Sequence, residues 1–379
     1  MSIRQYNLGS IVKPGFNPLG AQTSTFLYNL FSWGKGGNGS LGLGNLTYYS
    51  SPKQVGSLTN WSKISGGNQF VLSTKTDGTL WSWGDYGDGQ LGLGNLIGYS
   101  SPKQVGSLTT WLNISANFRS SLAIKTDGTL WVWGSNSNGQ LGLGNTTSYS
   151  SPKQLGALTT WASISSSPYS KLNFAITTSG TLYGWGQNAN GQLGLGNTTS
   201  YSSPKQVGAL TNWLKVAGGA YFTLAVKTDG TLWSWGNSAY GQLGLGNTTE
   251  YNSPKQVGAL TSWLNISANY GSSFAVKTDG TIWAWGRNTS GELGLGNTTS
   301  RNSPVQIGSL TNWSTVSTSG TNQGAMATKT DGTLWGWGIN GDGQLGLGNT
   351  TDYSSPKQVG SSTTWLRVAS VSGSCVALG

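Results

Sequence analysis

The sequence predicts an all-β protein, a single seven-bladed β-propeller of four-stranded blades whose last blade is shared by the N-terminal and C-terminal strands. Three observations carry this. The pentapeptide LGLGN occurs seven times, beginning at Leu41, Leu91, Leu141, Leu193, Leu243, Leu293 and Leu345, at steps of 50, 50, 52, 50, 50 and 52 residues. A fixed period of roughly 40 to 50 residues is the mark of a propeller or a solenoid. Four short apolar segments recur in each unit, which is the strand count of a propeller blade. Finally, the segment missing at one end of the chain is present at the other.

Residues 1–23, MSIRQYNLGSIVKPGFNPLGAQT, stand outside the repeat and read as an extended arm; the propeller is assigned to residues 24–379. The arm has no apolar stretch of the secretory type. It is a candidate attachment to a neighbouring protein. Within each unit, segment a is PKQVG (Pro52 to Gly56 in the first copy), b is WSKIS (Trp61 to Ser65), c is FVLSTK (Phe70 to Lys75) and d is TLWSWG (Thr79 to Gly84). Each is rich in β-branched or aromatic residues, with Gly, Asn, Asp or Ser between. The c–d link, TDG, is a tight hairpin turn with glycine supplying positive φ. Small residues at the end of b suit the crowded strand nearest the axis. Segment a, with its lysine, suits the outer edge, where lysine discourages edge-to-edge pairing. The chain ends in CVALG, a segment c without its d, and FLYNLFSWG (Phe26 to Gly34) supplies that d. Closure of this kind completes the last blade and leaves only short outer edges.

Composition agrees with a closed repeat. Charged residues are 8 % of 379, against about 25 % in an average domain. Gly is abundant, but 19 Trp residues at a regular period indicate a packed core. The net charge is +10. Five Lys of the KTDG turns stand beside five Asp. Lys53, Lys103, Lys153, Lys205, Lys255 and Lys357 of the PKQ segments supply most of the excess. They are spread round the repeat, which argues against a nucleic-acid face. No apolar run has the length of a membrane span, so no membrane insertion is expected.

The unit WGQNANGQLGLGN, then SPKQVG, WLKVAGG and TLAVKTDGTLWSWG, resembles the repeat of the regulator of chromosome condensation family. The resemblance runs over about residues 25–379, in seven copies. It implies a seven-bladed propeller with a shared closing blade. One departure is plain: family repeats often carry a histidine before the LAL-like strand, and this chain has no His.

Repeated residues are read as scaffold. Trp33, Trp83, Trp133, Trp185, Trp235, Trp285 and Trp337 close segment d in every unit, and a residue needed in every blade is a blade-to-blade packing residue. Each buried ring covers about 150–250 Å², or roughly 4–6 kcal/mol as an upper bound. The glycines of LGLGN let the d–a connection pass close over neighbouring backbone. No copy is followed by the Lys-Ser/Thr of a phosphate-binding loop.

Function is read where the copies differ. In a four-stranded meander, connections a–b and c–d fall on one side, and b–c and d–a on the other. The first side is nearly uniform, GSLTN or GALTN and TDG; the second varies from blade to blade and takes up both two-residue insertions. Rigid scaffolds with variable Tyr, Asn and Ser loops are typical of recognition surfaces. The candidate binding residues are therefore Tyr86, Asp88, Phe118, Arg119, Tyr169, Tyr221, Tyr240, Tyr270, Arg287 and Arg301.

Catalysis has little material. There is no His, and the lone Cys375 sits in the last c segment. Asp85 and Asp88 lack the ligand series of a calcium loop. Neither metal nor cofactor is expected, and the chain is read as a non-enzyme. The leading expectation is a recognition or structural protein, most simply a phage virion surface component that binds a protein or glycan receptor. Its arm would hold a virion neighbour, and it would be made in the cytoplasm and displayed outside it. The alternative, implied by the resemblance, is a cytoplasmic protein-binding regulator, either an exchange factor for a small GTPase or an enzyme inhibitor. Exchange factors of the family use an inserted wedge, and no insertion here exceeds two residues.

Overall fold

The computed structural model describes residues 28–85, 87–167, 169–318 and 324–379. The arm assigned to residues 1–23 and the candidate Tyr86 lie outside them. Among the described residues there are 28 strands and no helix, in seven four-stranded antiparallel sheets. Blade 1 runs inner to outer as Trp61–Gly66, Phe70–Lys75, Leu80–Gly84 and Tyr99–Gln104, the segment order b, c, d, a. Blades 2 to 6 repeat it. Blade 7 is built from Arg367–Val371 and Ser374–Leu378 at one chain end and Leu30–Gly34 and Tyr49–Gln54 at the other. Its seam is an unbroken antiparallel ladder from Leu30↔Leu378 to Gly34↔Ser374.

The inner strands line a central channel of about 240 Å³, with Ser65, Ser115, Ser165, Ser267 and Ser317 among its wall residues. Segment b is therefore the axial strand and segment a the edge, as its lysine suggests. The outer strand begins earlier than PKQVG implies: Tyr49 pairs with Gly34, the register shifts, and Lys53 pairs with Ser32. Pro52 cannot donate to a ladder, and it is tolerated because this strand has only one neighbour.

The core lies between blades. Phe70, Leu72, Leu80, Leu91 and Val105 of blade 1 pack with Trp111, Ala116, Ala123 and Trp133 of blade 2. The other clusters repeat this pairing round the ring, including across the seam. The Trp residues that close segment d are fully buried. Each donates its indole N–H to a backbone carbonyl just before the LGLGN of the preceding blade: Trp133 to Gln90 at 2.9 Å, Trp235 to Gln192 at 2.8 Å, Trp33 to Gln344 at 2.8 Å across the seam. The first LGLGN glycine lies on that same indole rather than on backbone. A Cβ at Gly294 would stand 2.7 Å from Trp337 Nε1, and its φ of +73° already favours glycine. The d–a connection is thus a staple from each blade to the next.

The TDG turns are closed by side-chain hydrogen bonds. Asp77 caps its own turn, accepting from Thr79 N and Oγ1 at 2.9 and 2.6 Å. These hydrogen bonds hold its pKa below the usual value against the opposing effect of burial. Lys75 turns away and lies over Trp81, 3.7 Å from the ring centroid. Among the described residues only Lys277 and Asp279 form an ion pair in these turns, at 3.6 Å. Charge in this unit is held by aromatic faces and turn hydroxyls more than by ion pairing.

Candidate recognition face

Backbone hydrogen bonds fix which loops share a face. On one side, which we call the lower face, the c–d turn joins the a–b connections: Thr76 N to Asn60 O at 2.9 Å and Trp111 N to Gly78 O at 3.1 Å. On the upper face the start of each d–a connection joins its own b–c connection, as in Asn237 N to Tyr221 O and Arg287 N to Gly271 O, both at 2.9 Å. Among the described residues the variable connections therefore lie on one face of a closed ring.

Much of that variability is spent on latches between neighbouring blades. The d–a loop of one blade meets the b–c loop of the next. At blades 7 and 1, Asn38 Nδ2 donates to Gln69 Oε1. At blades 1 and 2, Asp88 and Arg119 form an ion pair of 3.0 Å, with the Arg119 guanidinium also 5.7 Å from the Phe118 ring. At blades 2 and 3, Lys171 Nζ donates to Ser137 Oγ at 3.3 Å. The candidates Asp88, Phe118 and Arg119 are brought together here, and Phe118 is half-buried.

At blades 4 and 5 the same position holds a different structure. Tyr240 takes the place of Asp88, and Gly271 takes the place of Arg119. A Cβ on Gly271 would stand 3.0 Å from the Tyr240 ring, so glycine leaves that ring room. Tyr221 and Tyr270 meet edge to face at 5.8 Å. The Arg287 guanidinium lies 5.5 Å from the Tyr240 ring and 5.9 Å from the Tyr270 ring. It donates from Nε to Thr289 Oγ1 at 3.0 Å and stands 3.7 Å from Glu292 Oε1. Glu292 is fully buried and occupies a place that is Gln in five other repeats. The paired appearance of Arg287 and Glu292 in one blade fixes the guanidinium between two tyrosines. Tyr221, Tyr240 and Tyr270 keep 36 to 39 % of their surface in water, which leaves a neutral, largely aromatic patch of four candidates from two blades.

Two further candidates join neither the Asp88–Arg119 latch nor this patch. Tyr169 is only half-exposed in total, and its phenol is enclosed, so burial pushes its pKa well above the usual value. Its backbone N–H donates to Ser167 Oγ at 3.2 Å. Arg301 lies on a strand rather than in a loop. It opens the outer strand Arg301–Gln306 opposite Gly286, where the other six blades carry tyrosine. The sequence reading also missed a set of exposed apolar residues in two neighbouring blades. Leu46, Tyr48, Leu96 and Ile97 are 51 to 59 % exposed, in the stretch joining LGLGN to the outer strand in blades 7 and 1. Later repeats carry Thr-Thr there, so the signal was an apolar residue in place of threonine. Among the described residues no group of three or more His, Cys, Asp or Glu could hold a metal, and no helix is long and apolar enough to cross a membrane.

The comparisons with known proteins agree with this geometry. The regulator of chromosome condensation (RCC1) repeat model matches seven times, at residues 29–73, 77–124, 127–169, 179–226, 229–276, 279–324 and 331–378. A second model of the same repeat matches residues 111–140, 213–242 and 263–292. No curated protein matches the chain. Among solved structures, Prp20p from Saccharomyces cerevisiae superposes with a TM-score of 0.82 at 19 % identity, over 94 % of this chain and 92 % of that one. Human WBSCR16 superposes with a TM-score of 0.81 at 23 % identity, over 93 % and 98 %. Yeast RCC1 (Prp20) in complex with Kap60 gives 0.82 at 18 %, over 100 % and 96 %. These likenesses establish the fold, and the seven matched repeats establish more: the chain belongs to the regulator of chromosome condensation repeat family.

Proposed function

We propose that this propeller is a protein-binding module that holds its partner on the upper face, anchored at the patch of Tyr221, Tyr240, Tyr270 and Arg287. The observation that carries the reading is the convergence of three part-exposed tyrosines from two blades around one positioned guanidinium. Tyrosine and arginine dominate the energetic centres of protein interfaces, and a ring of staples keeps the patch pre-organised, which lowers the cost of binding. The structural relatives support a protein as the partner class. Prp20p is described by its binding to Gsp1p and histones, and yeast RCC1 is seen bound to Kap60. They lend nothing to a virion role or a glycan receptor, and the regulator reading is the better supported of the two expectations.

The test uses the immobilised chain against an extract of its own cells, read by quantitative mass spectrometry. Three forms are compared: the natural chain; Tyr221→Ala with Tyr240→Ala and Tyr270→Ala; and a lower-face control, Leu108→Ser with Leu158→Ser and Leu210→Ser. Serine already occupies this position in blade 7, as Ser362. The reading expects proteins retained by the natural chain and the control and lost from the tyrosine variant. Equal retention by all three forms rejects it. A further form, Leu46→Thr with Leu96→Thr and Ile97→Thr, tells whether those exposed apolar residues take part.

A further inference from the structure

The lower face repeats a small aromatic–cation unit. The Trp that opens the inner strand meets a Trp of the third strand at 5.9 Å (Trp61, Trp81), 6.2 Å (Trp111, Trp131), 6.1 Å (Trp213, Trp233), 6.0 Å (Trp263, Trp283) and 6.0 Å (Trp313, Trp335). In these five blades the second strand ends in lysine, and the ammonium lies over the third-strand ring. Its distance to the centroid is 3.7 Å for Lys75, 3.6 Å for Lys125 and Lys227, 5.3 Å for Lys277 and 3.8 Å for Lys329. The inner-strand ring stands beside it, 5.0 Å away for Lys75 and 4.7 Å for Lys329. The one lysine that sits farther off, Lys277, is the one drawn to its carboxylate. Ring faces hold these ammonium groups, by the attraction between a cation and an aromatic quadrupole.

Blade 3 keeps the rings and lacks the cation. Trp161 and Tyr183 meet edge to face at 5.4 Å and 79°, the arrangement of the other blades. The second strand ends in Thr177, paired with Trp161 as Lys75 is paired with Trp61. Ser179 stands where the other turns have Asp. Hydroxyls close this turn: Thr177 Oγ1 lies 2.8 Å from Ser179 Oγ and accepts from Thr181 N at 3.2 Å. Threonine is shorter than lysine by the far methylenes and the ammonium, so residue 177 does not reach the place over the third-strand ring. Tyr183 is half-exposed. Blade 7 also lacks the lysine, but there Gly379 is tied to the Asn29 backbone in both directions, at 3.0 and 3.1 Å.

We propose that blade 3 is a receptor for an alkylammonium group from outside the chain, either a lysine side chain of a partner protein or a small free amine. The cation lies over Tyr183 and beside Trp161, with the hydroxyls of Thr177 and Ser179 as acceptors. Five blades of the same chain show that this frame holds an ammonium, and blade 3 is that frame without one. The site is on the face opposite the tyrosine patch and does not depend on it.

The test follows the Trp161 indole N–H signal, assigned by its loss in Trp161→Phe, during titration with n-butylammonium and with the peptide acetyl-Gly-Lys-Gly-amide. The decisive variant is Thr177→Lys with Ser179→Asp, which writes the turn of five other blades into blade 3 and so keeps a sequence that folds here. The proposal expects saturable shifts with the natural chain, and binding weaker by about ten-fold or more in the double variant, whose own ammonium occupies the frame. Shifts with both probes identify a lysine side chain as a sufficient ligand; shifts with n-butylammonium alone identify a free amine. Absence of a saturable shift with either probe, or equal shifts in the natural chain and the double variant, overturns the proposal.

Discussion

The two faces of the ring use one kind of interaction in two ways. On the lower face a cation lies on an aromatic ring five times, in nearly identical turns, with lysines that are mostly buried. On the upper face, among the described residues, a guanidinium lies by a ring at two places: Arg119 beside Phe118, and Arg287 between Tyr240 and Tyr270, whose rings are part-exposed. An interaction repeated in register belongs to the scaffold. A guanidinium set between two tyrosines occurs once among the described residues, assembled from residues at positions that differ in the other repeats, and is a candidate site. The same comparison marks blade 3, where the repeated lower-face unit loses its lysine.

The comparison predicts that scaffold changes cost stability and upper-face changes cost binding. The largest stability effect is expected at the staples. Gly294→Ala places a methyl 2.7 Å from the Trp337 indole at a φ of +73°, whereas Gly44→Ala, at +79°, meets nothing nearer than Ser101 Oγ at 3.5 Å. Denaturant unfolding should show a loss of about 3 kcal/mol for the first and about 1 kcal/mol for the second, because only the backbone term is shared. Equal losses would show that the indole contact is not the constraint. In contrast, Tyr270→Ala should leave stability within about 1 kcal/mol while removing about 2 kcal/mol or more of partner binding. A stability loss as large as the staple's would place that ring in the scaffold.

Smaller effects sharpen the division. Burial pushes the Cys375 thiol up to about 12, so a thiol reagent at pH 8 should leave the folded chain untouched and modify it only on unfolding. Lys63, on the inner strand, is lowered to about 8 by burial and then by the Arg367 charge. The unfolded chain keeps that proton up to the ordinary lysine value, so between about pH 8 and pH 10.5 the unfolded state binds more protons and stability rises with pH. Lys63→Met should flatten that rise. Asp88→Asn breaks an exposed latch with Arg119 and should cost no more than about 1 kcal/mol at low salt and less at high salt.

Much of this was legible in the sequence because repetition exposes it. In blade 1 segments b and c agree with their strands to within a residue, and the seam was readable because CVALG lacks the partner that FLYNLFSWG supplies. Alternation of connections placed the variable loops on one face. The individual site residues were less legible, since a variable residue can face a neighbouring blade as easily as water. Asp88 and Arg119 vary together because they touch. Tyr169 stands in a variable loop, yet its phenol is enclosed. Arg301 was read as a loop residue because the register shift that draws it into the outer strand is invisible without the partner strand. The blade 3 frame escaped notice because its signal is a missing lysine, which only the ring contacts of the other blades make meaningful.

The most direct test of the division between faces is the partner-binding comparison of two variants, each first checked to be folded. One carries Tyr221→Ala, Tyr240→Ala and Tyr270→Ala; the other carries Leu108→Ser, Leu158→Ser and Leu210→Ser. The account predicts that the proteins retained by the natural chain are lost from the first and kept by the second. Loss from the second with retention by the first would assign recognition to the uniform face and contradict it.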